Sequence, residues 1–450
     1  MLKVSEYNFV WPIENSEYAV IYNSFTGAAM ELNKTYLGLL EKNSKTALEP
    51  KDEQQNKITD ELKANGFLID EYIDERKILK YKNSKEKYSR ETLSLTILPT
   101  FRCNLKCFYC FEDRTRVENM TPQIEEQVLQ FASRSLLGVK KIHVCWFGGE
   151  PLMAWDKICR MSKKLMKLAE ENNCNYSAFM VSNGYLLDDD KIGRFKELGI
   201  GNIQITLDGT PDLHSARKGI KGDPDTNFNH ILQNISKLLI AKIKVSIRIN
   251  IDKDNLATME ELLELLSKAK LKDASIYPAM IEPYTKLCSN VENTCLKRDE
   301  FKDVVIRFNK LLLEKGLKKD LSEALPVPKG NSCIYDQINS FSIAPDGYVY
   351  KCWNTIGDRE ATIADVLDRD LEDTEKQKQA MRRIENMTWD PFERPKCTKC
   401  RLLPVCMGGC PYQYDTSDGK EPDCLIAEDT IKDNVINHVL SIKINQLFQS

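Results

Sequence analysis

Short apolar runs alternate with longer amphipathic stretches from residue 93 to about 280, and this alternation restricts the fold more than any other feature. LSLTILPT (93–100), KIHVCWF (141–147), YSAFMVS (176–182), NIQITL (202–207), KIKVSIRIN (242–250) and ASIYPAM (274–280) read as strands. Between them lie TPQIEEQVLQFASRSLL, with Thr121 as N-cap and Pro122 in the first turn, WDKICRMSKKLMKLAEE, DDDKIGRFKELG, FNHILQNISKLLI and NLATMEELLELLSKAK, which read as helices. Six strands separated by helices predict an α/β fold with a parallel sheet and right-handed crossovers, either an open sheet or a partial barrel. The near-continuous apolar strands predict burial on both faces.

The flanks differ in texture. Residues 1–75 predict a small α+β, winged-helix-like module: a β-hairpin in YAVIYNSFTGAAMELN around Asn23–Gly27, a helix in KTYLGLLEK, a second helix stopped at Gly66, and a short strand. Residues 76–92 are Lys-rich and read as a linker or solvated helix. Residues 281–332 form a bridge with one amphipathic helix at 299–316, and residues 333–450 are dominated by Cys, Gly, Pro and Asp. Metal rather than a large core is expected to hold such a region together.

A net charge of −3 gives no global field for nucleic acid or a membrane surface. No apolar run is long enough to cross a bilayer, and MLKVSEYNFVWPIENSEY lacks a signal-peptide pattern, so the chain is expected in the cytoplasm. In that reducing compartment 15 cysteines point to metal rather than disulfides. Cys103, Cys107 and Cys110 follow the first strand, and Cys333, Cys352, Cys397, Cys400, Cys406, Cys410 and Cys424 lie in the C-terminal region. The first trio, with its x3 and x2 spacing at a strand end, suits an iron–sulfur cube with one iron left open. Zinc would want a fourth ligand. Cys397 to Cys410 alone admit a zinc-ribbon reading, which leaves Cys333, Cys352 and Cys424 without a role.

The CxxxCxxC run with Tyr109 before its last cysteine resembles the signature of radical S-adenosylmethionine (SAM) enzymes, followed in order by GGEP (148–151), SNG (182–184) and TLDGTPDLHSARKG (206–219). The seven later cysteines resemble the SPASM extension of that family. The resemblance implies a partial (β/α)6 TIM-type barrel and a C-terminal iron–sulfur domain. It implies three [4Fe–4S] clusters: one on Cys103, Cys107 and Cys110 that binds SAM, an outer one on Cys397, Cys400, Cys406 and Cys424, and an inner one on Cys333, Cys352 and Cys410. The inner set is one ligand short, with Cys288 and Cys295 as distant candidates for the eighth, or an open iron that could take a substrate thiolate. By the same resemblance Tyr109, Gly148, Gly149, Glu150, Ser182, Thr206 and Arg217 contact SAM, with Arg217 pairing its carboxylate. Arg248 joins them by strand parity.

The activity implied is reductive cleavage of SAM to a 5′-deoxyadenosyl radical that abstracts hydrogen from the substrate. The N-terminal module resembles the leader-binding (PqqD-like) element of peptide maturases. A precursor peptide is therefore the expected substrate, a Cys thioether crosslink the expected product, and a flavodoxin or ferredoxin the expected reductant. A carbon–carbon crosslink, formylglycine formation as in sulfatase-maturing enzymes, and a non-catalytic iron–sulfur electron carrier are the alternatives.

Overall fold

A computed structural model describes residues 1–41, 53–283, 285–318, 325–369, 372–415, 424 and 426–447. The last residue of the predicted 34–42 helix, the first of the 52–66 helix and parts of the 281–332 and 333–450 regions lie outside the described residues.

The N-terminal region opens with β1 (Leu2–Val4), β2 (Asn8–Pro12), β3 (Tyr18–Asn23) and β4 (Ala29–Asn33). A 3-10 turn follows at Lys34–Leu40, capped by the Asn33 side chain, where a helix was expected. Then come α1 (Glu53–Ala64), β5 (Leu68–Asp70) and α2 (Glu75–Lys87), so the Lys-rich stretch is a helix. β2, β3 and β4 form an antiparallel sheet, and β1 pairs with β5. One face of the three-stranded sheet packs Ile21 and Leu32 on Leu62, Phe67 and Leu68. The other packs Phe9, Trp11, Val20 and Tyr22 on Leu402, Val405, Ile431 and Val435, which ties this module to the C-terminal region.

The βα series then runs β6 (Thr92–Ile97), α3 (Pro122–Arg134), β7 (Lys141–Trp146), α4 (Trp155–Glu171), β8 (Asn175–Ser182), α5 (Asp189–Arg194), β9 (Ile200–Leu207), α6 (Pro211–Lys218), α7 (Pro224–Ile240), β10 (Lys244–Ile251), α8 (Met259–Lys268) and β11 (Ser275–Met280). The starts follow the local chemistry. Thr121 accepts from the Ile124 amide ahead of α3, Asp188 caps α5, and Asp223 caps α7. The six strands are parallel and adjacent in chain order, and β6 and β11 are not paired with each other. The barrel is therefore partial.

Burial on both faces holds only in part: β6 and β7 are buried at consecutive positions in their last three residues, whereas the middle strands alternate. In β9, Ile203, Ile205 and Leu207 are fully buried under the helices, while Asn202, Gln204 and Thr206 on the opposite face are half-buried. β8 and β10 alternate in the same way. Each Ile or Leu on the covered face contributes about 1.5–3 kcal/mol by burial. The inner face instead lines a concavity.

After β11 come α9 (Arg298–Glu314), β12 (Ser340–Ile343), β13 (Tyr348–Tyr350), β14 (Ala364–Asp365), α10 (Asp373–Thr388), α11 (Leu403–Cys406), α12 (Pro411–Asp415) and α13 (Glu428–Leu447). β12 pairs in parallel with β6, with Ser340 opposite Ser94 and Ile343 opposite Ile97, and β13 and β14 continue the sheet antiparallel. The Cys-rich region thus extends the barrel sheet to nine strands rather than standing apart. No helix among the described residues is long and apolar enough to cross a membrane.

Candidate active site at the strand ends

The loop after β6 carries Cys103, Cys107 and Cys110 and is held by backbone bonds. The Lys106 amide donates to Lys218 O (2.9 Å), Phe108 to Arg217 O (3.2 Å), and Leu105 to the Cys103 sulfur (3.5 Å). Burial pushes the Cys103 thiol up to about 12, with Glu150, Cys107 and Cys110 close enough to add to the shift. The three thiols therefore share one site.

GGEP lies directly against this loop. A Cβ on Gly148 would meet Thr100 O at 2.5 Å, and one on Gly149 would meet Arg102 O at 2.4 Å, so glycine is required for close backbone packing. The Gly149 and Glu150 amides donate to Thr100 O and Arg102 O. Neither glycine carbonyl accepts a hydrogen bond from a described residue. Glu150 is buried and accepts from the Leu152 amide (3.1 Å), the Ser182 hydroxyl (2.9 Å) and the Asn183 amide (2.8 Å). A carboxylate offers about four lone-pair sites, so one remains for an ammonium donor. Burial raises its pKa to about 7 against these hydrogen bonds.

Two of the expected SAM contacts have protein partners in this structure. Ser182 is buried, donates to Glu150 and accepts from the Gly184 amide (3.0 Å), so it serves the site through Glu150. Arg217 holds Asp252 through both terminal nitrogens at 3.0 Å, a buried bidentate pair. The pair uses two of the five guanidinium N–H donors, and Nε is buried without a partner. Thr206 and Arg248 sit opposite each other on β9 and β10 with inner faces half-buried, and Arg248 donates to Asn250 Oδ1 (2.8 Å).

Beneath the loop lies a buried polar network that the motifs contained but did not assign. The Tyr109 hydroxyl donates to Asp208 (2.5 Å) and accepts from Lys218 (2.6 Å), and Lys218 also pairs with Asp208 (3.2 Å). Burial works against the charges, yet Lys218 holds the Asp208 carboxyl below its usual range and Asp208 holds the Lys218 ammonium well above its own. Asn255 donates to Asp208 O and Asn250 O and accepts from the Asp252 amide. Asn104, inside the cysteine loop, accepts from Asn183 (2.9 Å). The Tyr109 side chain is thus spent on anchoring the loop.

His214 belongs to this network. Its Nδ1 accepts from the Asp208 amide (3.2 Å), and burial first, then Lys218, lowers its pKa to about 4. The unfolded chain binds a proton near pH 6.5 that the folded chain refuses until about pH 4. The stability that depends on neutral His214 is therefore full above pH 6.5 and lost as pH falls towards 4, on the order of 3 kcal/mol. Denaturation of the parent and of His214→Gln across this window checks it. The gap between the two is expected to narrow on acidification, and a constant gap refutes it.

The later cysteines fall into two groups. Burial raises the Cys352 thiol to about 12, with Cys333 and Cys410 adding to it. Burial raises Cys397 to about 11, with Cys406, Cys400 and Cys424 adding to it. Cys288 is buried in a turn, where its sulfur accepts from the Thr285 amide (3.4 Å) and donates to Thr285 O (3.3 Å). Among the described residues no group of three or more His, Cys, Asp or Glu could grip a single metal ion. Zinc would need sulfurs about 2.3 Å from one centre. An iron–sulfur cube holds its thiolates further apart, one per iron. Cys352 follows β13, and the next residue reaches the strand end after β7. There Trp353 stacks on Phe147 (5.3 Å) and Phe147 on Phe111 (6.4 Å), an aromatic wall between the first and inner groups.

Residues 97–266 match the Radical SAM superfamily. The chain carries a radical SAM domain. This domain implies SAM and a [4Fe–4S] cluster, and the loop thiols with the single open Glu150 lone pair fit that pair of groups. Among its relatives is the Fe-coproporphyrin III synthase of Methanosarcina barkeri, 25% identical over 49% of this chain and 53% of its own, so the chain spans about half the length of that relative. The serine-type anaerobic sulfatase-maturating enzyme of Klebsiella aerogenes is 22% identical over 70% of this chain and 78% of its own. Two solved structures share the radical SAM fold. AnSMEcpe with AdoMet and the Kp18Cys peptide has a TM-score of 0.57 at 19% identity, covering 80% of this chain and 100% of its own. Streptococcus suis SuiB bound to precursor peptide SuiA has a TM-score of 0.52 at 16% identity, covering 94% and 98%.

Proposed function

We propose that this radical SAM enzyme matures a precursor peptide by forming a crosslink, a Cys thioether in the first instance. The observation that supports the reading is the aromatic row Phe111–Phe147–Trp353, which runs from the residue after Cys110 to the residue after Cys352, with Cys333 and Cys410 close enough to act on Cys352. Peptides bound to anSMEcpe and SuiB support the substrate class, and the SuiB match extends over 94% of this chain. When bound, SAM and its cluster supply a radical that takes hydrogen from the substrate. Cys103, Cys107 and Cys110 would hold that cluster, and Glu150 with the Gly148 and Gly149 carbonyls would orient the SAM ammonium. The Tyr109–Asp208–Lys218 network keeps the loop in place, and the aromatic wall excludes water. Cys333, Cys352 and Cys410 would hold an inner cluster with room for a substrate thiolate, and Cys397, Cys400, Cys406 and Cys424 an outer one. The three-stranded sheet would take the leader as an added strand.

Formylglycine formation fits less well, because Trp353, not a carboxylate, follows Cys352. Tandem mass spectrometry of co-expressed short peptides encoded beside the gene tests the reading. The expected product has lost two hydrogens and resists alkylation at one cysteine. An aldehyde at Cys or Ser refutes it.

A further inference from the structure

The chain carries a net charge of −3, yet two of its segments are rich in basic residues. Residues 76–90, which include most of α2, hold seven Lys or Arg and one acidic residue, and RPKCTKCR (394–401) holds four Lys or Arg and none acidic; of these Lys87 and Arg394 are buried, and Lys77, Lys80 and Arg401 pair with Asp74, Asp390 and Glu428. The fold packs these two segments together. Arg76 donates to Phe392 O (2.8 Å) and to Thr398 O, and Leu79 packs with Phe392, Leu403 and Met407 against Cys397 and Cys400. The buried side of α2 thus backs onto the turn between Cys397 and Cys400. Its outer side shows Lys77, Tyr81, Lys85 and Tyr88 at helical spacing, all exposed, with Tyr81 at 69% and Tyr88 at 51%. Lys396 and Lys399 are exposed beside the same cysteines.

We propose that this surface docks an acidic one-electron carrier protein over the outer cysteine group. Charge complementarity selects the partner, since like-signed clusters around a site raise encounter rates with an acidic protein by about 10–1,000-fold. Exposed tyrosines among the lysines suit a small, transient protein contact better than a backbone-paired peptide. The carrier gives up one electron and the cluster that Cys397, Cys400, Cys406 and Cys424 would hold takes it up, so the carrier is oxidised and the cluster reduced by one equivalent. The inference rests on that proposed outer cluster.

An acidic bacterial flavodoxin is the probe, and Lys77→Glu/Lys85→Glu/Lys399→Glu the variant. Association with the holoenzyme is measured at low and high salt, without SAM or peptide, so it stands apart from the proposed function. The parent is expected to bind in a salt-sensitive way and the variant about tenfold or more weakly. Reversal of Lys163, Lys164 and Lys167 on α4 is expected to change nothing. SAM cleavage driven by dithionite is expected to be equal in parent and variant, whereas cleavage driven by reduced flavodoxin falls. Unchanged flavodoxin association overturns the proposal, as does an equal loss with dithionite. So does a variant that binds flavodoxin normally but crosslinks a co-expressed precursor poorly, since the surface would then belong to the peptide.

Discussion

Alanine at Cys103, Cys107 and Cys110 together is expected to reduce 5′-deoxyadenosine formation to background while leaving iron at the other cysteines. The three thiols share one loop and one electrostatic neighbourhood, in which Glu150 acts on Cys103. Their loss removes every protein ligand of one cube and none of the others, so iron and sulfide content should fall by about one third if each group holds one cluster. The reciprocal variant, with alanine at Cys397, Cys400, Cys406 and Cys424, should keep the spectroscopic change that SAM causes at the first site. Zinc in place of iron in the parent, or SAM cleavage that survives the triple substitution, contradicts the assignment.

The second large effect is structural. Asp252→Ala leaves the Arg217 guanidinium buried with no carboxylate, and breaking such a pair costs about 3–5 kcal/mol. Arg217 also stacks over Phe108 at 4.7 Å, and its carbonyl holds the Phe108 amide, so the damage reaches the cysteine loop. A lower denaturation midpoint and weaker SAM binding are expected together. Arg217→Met/Asp252→Ala removes both charges and should regain most of the stability. If SAM binding returns with it, the pair is a loop brace. If only stability returns, Arg217 also touches SAM through its Nε. Full stability in Asp252→Ala alone refutes the brace.

Much of this was legible in the chain itself. Strand and helix periodicity, with Thr121 as N-cap, marked six strands and the five helices between them, because these signals are local. The cysteine spacing put three thiols at the first strand end and grouped the later seven. Helix α6 escaped notice because the side chains it buries, His214, Ser215, Arg217 and Lys218, are polar and leave no apolar stripe. Ser182 and Arg217 were read as facing a ligand because motif order names a strand end but not the partner a side chain finds there.

By itself, then, the sequence determined the alternating α/β core, the position of its strand-end loops and the supply of thiols. Only the tertiary structure decided that β12 adds to β6, that Trp353 beside Cys352 stacks on Phe147, that Arg217 pairs with Asp252, and that two basic segments more than 300 residues apart meet over Cys397 and Cys400. Those outcomes depend on pairing between distant segments. A backbone edge accepts many strands, and a buried charge accepts any partner that offsets its desolvation, so local pattern does not choose among them.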